Sequence, residues 1–90
     1  GVYLERRFGV RLENMLLVAE GARTECGDFL QMEALTLCPF DTVPIIPAMM
    51  MADEIDWLNR YHATVYERLA PSLSPDERAW LRQATAPLQA

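Results

Sequence analysis

The sequence predicts an α+β fold, with about three antiparallel strands followed by two helices. Two observations carry this. Apolar and strand-forming residues alternate through much of residues 8–40, the period of a strand, and recur every three to four residues from 52 onward, the period of a helix. Strand signals in the first half and helix signals in the second indicate α+β rather than an alternating parallel sheet.

Val2-Tyr3-Leu4 is a short apolar run ahead of Glu5-Arg6-Arg7. Phe8 to Ala19 then reads as a long strand stopped by Gly21. Val10, Leu12, Asn14, Leu16 and Val18 share one face; Arg11, Glu13, Met15, Leu17 and Ala19 share the other. Both faces turn apolar beyond Asn14, so cover is expected on both sides. Glu20 to Asp28 reads as a polar connection holding Gly21 and Gly27. Phe29 to Phe40 reads as the next strand, its pairing ended by Pro39. Asp41 to Pro47 carries two more prolines and reads as an extended, irregular connector.

From Ala52 to about Ala70, Ile55, Leu58, His62, Val65 and Leu69 form a helical stripe that Trp57 and Tyr61 widen. Asp53, Glu54 and Asp56 lie at its start, where negative charge suits the helix dipole. Ser74-Pro75-Asp76-Glu77 is a capping box with proline at the first helical position. It opens a second helix running to about Thr85, with Trp80, Leu81 and Ala84 as its apolar stripe.

Ninety residues allow one small fold. Thirteen acidic residues against eight basic ones give a net charge of -5, which argues against a nucleic-acid partner. No apolar run reaches the ~18 residues that would cross a bilayer, so no membrane partner is expected. Cys26 and Cys38 form no CxxC pair, and His62 is the lone histidine, so no zinc site is indicated. The cysteines read as reduced thiols of a cytoplasmic protein, with a cross-strand disulfide as the alternative. His62, on an apolar stripe, reads as a core or interface residue rather than a ligand.

Glu13 is the charged residue in an unusual place, mid-strand among Leu12, Met15 and Leu17. A buried carboxylate is costly unless paired or bound to a metal. On the residues alone, a half-exposed pair with Arg11 competes with a functional role, and strand charges more often face solvent.

The residues around Glu13 add a resemblance. Gly9-Val10-Arg11-Leu12-Glu13-Asn14, followed by Met15-Leu16-Leu17-Val18, resembles the G-[IV]-R-[IL]-E-[ND] strand of aminopeptidase P (Xaa-Pro aminopeptidase), a pita-bread metallopeptidase. Gly1-Val2-Tyr3 resembles the end of that family's E-P-G-x-Y motif, and Glu33 to Asp41 its E-T-L-T-x-x-P-x-D segment. Glu54 to Asn59 with Tyr61-His62, Leu69-Ala70-Pro71, Ala79-Trp80-Leu81 and Ala84 to Leu88 are similar to its C-terminal extension. The resemblance implies residues 1–47 as the last strands of the catalytic domain with a connector, and 48–90 as the helical extension. It also implies Glu13 as a carboxylate bridging two divalent metal ions, usually manganese, with Arg11 holding that carboxylate in place. The metals would activate water against the bond before proline in a peptide substrate.

Of the two Asp, one His and two Glu that bind metal in that family, only the last Glu matches here, at Glu13. The others would lie upstream of Gly1, so this chain by itself is expected to be inactive and to bind no metal tightly. Where the family tends to carry a capping Thr, Met51 offers no cap, at a cost of about 1 kcal/mol; Met49 to Met51 reads as packing filler. The expected assembly is a homodimer, with Trp57, Tyr61 and Trp80 partly in the contact. A non-enzymatic interaction module and a degenerate family member that has lost catalysis are the alternatives.

Overall fold

Strand formers at the start of the chain close into a small hairpin. In the computed structural model, which describes residues 1–89, β1 (Val2–Leu4) pairs antiparallel with β2 (Phe8–Val10), placing Tyr3 opposite Gly9. Three residues connect them, and Arg6 takes a φ of 58°, the left-handed conformation that such loops use. Gly9 leaves room for the Tyr3 ring: a Cβ there would stand 2.7 Å from it.

A second, longer hairpin follows. β3 (Leu16–Thr24) pairs antiparallel with β4 (Gly27–Ala34), from Leu16 opposite Ala34 to Thr24 opposite Gly27. Glu25 and Cys26 make its turn, and Gly27 has a φ of 132°, which side chains rarely tolerate. The Cys26 N–H donates to Thr24 Oγ1 at 3.1 Å.

These hairpins correct three expectations. The strand read over Phe8 to Ala19 is interrupted: β2 ends at Val10, and regular pairing resumes only at Leu16. The connection read over Glu20 to Asp28 is largely strand. The ladder shifts register between Glu20 and Arg23, and a Cβ on Gly21 would lie 3.0 Å from the Phe29 carbonyl oxygen. Gly21 therefore admits a bulge and lets the strand continue. Finally, β4 ends at Ala34, short of Pro39. The architecture is nevertheless α+β, with four strands in two antiparallel pairs and two helices.

Residues 1–36 form one compact unit and residues 37–90 another. In the second, a connector with a single 3-10 turn (Pro47–Met49) leads into α1 (Ala52–Leu69). Met51 supplies no side-chain cap, but the Glu54 carboxylate accepts from the Met51 N–H at 2.8 Å, so half of a capping box survives. Another 3-10 turn (Ala70–Ser72) leads to α2 (Pro75–Ala84). There the capping box is complete: Glu77 N–H donates to Ser74 Oγ, and Ser74 N–H donates to Glu77 Oε1. The Ser74 bonds hold the Glu77 carboxyl below the usual range.

The apolar stripes supply the buried side chains: Leu58, Tyr61, His62 and Val65 of α1, Ala70 of the second 3-10 turn, and Leu81 of α2. Arg82 Nη2 donates to Tyr66 Oη at 2.6 Å while its guanidinium lies over the Tyr66 ring, tying α2 to α1. Asn59 exchanges two hydrogen bonds with the Leu88 backbone and holds the C-terminal tail.

Candidate functional site

Glu13 lies between the two hairpins, in the segment 11–15 that belongs to neither ladder. The Arg11 Nε–H donates to Glu13 Oε1 at 2.7 Å, and Arg11 Nη2 bonds the same oxygen. The i, i+2 spacing of an extended chain puts both side chains on one side, so the pair follows from local geometry. Their side chains are 58% and 60% exposed.

The backbone after Glu13 is held by side chains. Met15 N–H is shared between Asn14 Oδ1 at 2.8 Å and Thr36 Oγ1 at 3.3 Å, while Met15 carbonyl oxygen accepts from Leu35 N–H at 2.8 Å. Sequence reading placed Asn14 and Thr36 in motifs but did not bring them together, because a contact across 21 positions depends on the register of β3 on β4.

Among the described residues, no three or more His, Cys, Asp or Glu gather as a metal-holding group. One carboxylate is too small a donor set for two divalent cations, which need several oxygen ligands each. The residues present therefore do not by themselves make a dinuclear centre. Cys26 and Cys38 are free and exposed, and no disulfide joins them.

His62 belongs to the core. Its Nε2 accepts from the Phe40 N–H at 3.0 Å, and the Phe40 and Tyr61 rings lie 6.3 and 5.9 Å away, centre to centre. Tyr61 Oη donates to the Cys38 carbonyl at 2.9 Å and accepts from the Cys38 N–H. These two side chains pin the connector to α1. Burial pushes the His62 imidazole below its ordinary range. The unfolded chain then takes up a proton at higher pH than the folded one. The contribution is full above about pH 6.5 and is lost as pH falls toward the lowered folded value. His62→Gln, which keeps an acceptor but does not titrate, is expected to flatten the fall in melting temperature between about pH 7 and 5. An unchanged slope would remove His62 as its cause.

Comparison with known proteins places this geometry in a family. Residues 28–88 match the family described as the C-terminal region of peptidase M24. The chain belongs to that family. Relatives match beyond this region as well. Aminopeptidase P1 of Arabidopsis thaliana is 41% identical over 98% of the chain, and Xaa-Pro aminopeptidase 2 of Mus musculus is 36% identical over all of it. The chain spans about 14% of the length of either relative. Among solved structures, an X-prolyl aminopeptidase from Caenorhabditis elegans, described as a cytosolic enzyme with a di-nuclear active site, superposes with a TM-score of 0.82. It is 33% identical, and the match covers 96% of this chain and 15% of that one. The fold of this M24 C-terminal region thus matches a C-terminal piece of the pita-bread aminopeptidases. No helix among the described residues is long and apolar enough to cross a membrane.

Proposed function

We propose that this chain works as the C-terminal part of a metal-dependent Xaa-Pro aminopeptidase, which hydrolyses the bond between an N-terminal residue and proline. The observation that carries the reading is similarity to Xaa-Pro aminopeptidases over nearly every residue, through both the strands and the helices. On this reading residues 1–47 complete the catalytic domain and 48–90 form its extension. Glu13 supplies one carboxylate to a pair of divalent metal ions, manganese being the choice that suits oxygen ligands. The remaining ligands come from the rest of the polypeptide. Arg11, bonded to Glu13 Oε1, holds that carboxylate in a fixed orientation. The cytosolic relative supports a cytoplasmic location.

The test compares two proteins. The full-length enzyme carrying this segment is expected to cleave an Xaa-Pro peptide and to lose that activity to a chelator. The 90-residue chain is expected to show none. Chelator-sensitive turnover by the short chain, or no turnover by the full-length protein with manganese supplied, would refute the assignment.

For the 90-residue chain on its own, the reading includes a homodimer. Leu16, Val18, Leu30 and Met32 of the second hairpin are exposed, and contiguous apolar surface of this kind finds a partner. Trp57 and Trp80 are exposed as well and remain available to a contact. Tyr61 is not, since it is buried with its hydroxyl bonded to Cys38. Light scattering of the 90-residue chain across a concentration series is expected to give twice the monomer mass. A monomer at the highest concentration would refute self-association.

A further inference from the structure

The last regular rung of the second hairpin pairs Leu16 with Ala34. One position further, the Leu35 N–H still reaches the Met15 carbonyl at 2.8 Å. A complete antiparallel rung would return a bond from the Met15 N–H to the Leu35 carbonyl. Instead that N–H turns to Asn14 Oδ1 and Thr36 Oγ1. Two side chains, one from each strand extension, thus take the place of one backbone acceptor where the chain leaves the ladder toward Glu13.

Asn14 adjoins Glu13 in the chain, and its Oδ1 is committed to the Met15 N–H. Arg11 fixes the Glu13 carboxylate at its tip, but a tip contact cannot fix the peptide that carries the side chain.

We propose that Asn14 and Thr36 are a positioning pair that locks the Glu13–Asn14–Met15 backbone, so that the Glu13 carboxylate is presented in one orientation. The inference rests on the reading of Glu13 as a metal ligand. Groups outside the ligand set that orient a ligand change metal affinity by roughly tenfold to a hundredfold.

The experiment uses the full-length enzyme, stripped of metal and titrated with manganese by calorimetry, with kcat and KM for an Xaa-Pro peptide and the melting temperature of the metal-free protein measured alongside. Asn14→Ala and Thr36→Val are each expected to weaken manganese binding by about tenfold or more. They should lower kcat at unchanged KM and leave metal-free melting within a few degrees. Asn14→Asp and Thr36→Ser keep the acceptor for the Met15 N–H and should restore affinity. Glu13→Gln separates the two claims. If it abolishes binding at one site while Asn14→Ala and Thr36→Val bind manganese as the parent does, the positioning role is wrong and the Glu13 reading stands. If Glu13→Gln leaves binding unchanged, both fall. Weakening that merely follows a loss of metal-free stability, with no rescue by Asp or Ser, also overturns the proposal.

Discussion

On the proposed reading of Glu13 as a metal ligand, Glu13→Gln in the full-length protein is expected to lower turnover of an Xaa-Pro peptide by about two orders of magnitude or more. The substitution keeps the size of the side chain and removes its negative charge. A carboxylate at Glu13 would balance part of the charge of the cations it helps to hold, and a neutral amide would do so poorly. Metal ions in hydrolytic sites contribute several kcal/mol of charge stabilisation, and each 1.4 kcal/mol is a factor of ten in rate. The variant also turns the charge-assisted bonds from Arg11 Nε and Nη2 to Glu13 Oε1 into weaker bonds to a neutral amide oxygen. Metal content by atomic absorption, read with the rate, checks the cause: less bound manganese together with slower turnover is the expected outcome. Full occupancy and an undiminished rate would show that Glu13 is a surface residue paired with Arg11 and nothing more.

The second large effect concerns stability. Leu81 of α2 is 2% exposed, one of the large side chains fully buried in the helical part of the chain. Truncating a buried leucine costs about 2–5 kcal/mol through lost burial and the cavity left behind. A unit of this size holds only about 3–8 kcal/mol at the usual stability per residue. Leu81→Ala in the 90-residue chain is thus expected to lower the melting temperature of the helical circular dichroism signal by roughly 10–30 °C. Trp80, its neighbour in sequence, is 63% exposed, and Trp80→Ala should shift the same signal by only a few degrees. Equal shifts from the two variants would mean that burial of Leu81 does not hold the helical part together.

Much of this molecule was legible where the cause is local. Ser74-Pro75-Asp76-Glu77 opened α2 because its bonds run between residues three apart, so the motif carries its own partners. The stripe Leu58, Tyr61, His62 and Val65 identified the buried face of α1 because helical spacing decides which residues share a side. The Arg11 and Glu13 contact follows from the same logic at strand spacing. Gly21 misled because glycine signals a stop and a bulge alike; the difference lies in how near the β4 backbone comes. The meeting of Asn14 and Thr36 was missed for a related reason, since their shared hydrogen exists only once β3 and β4 are in register.

The sequence by itself determined the order of elements, the α+β class, the helix ends and the kinship with aminopeptidase P. These rest on periodicity, caps and short motifs, all written within a few residues of one another. Only the tertiary structure decided that the first long strand breaks after Val10, that the connector is pinned by Phe40 on His62 and Cys38 on Tyr61, and that the Met15 N–H leaves the ladder. Each of these is a hydrogen bond or a pairing whose two ends are set by different parts of the chain. Its strength depends on desolvation and register, which exist only after the chain has folded.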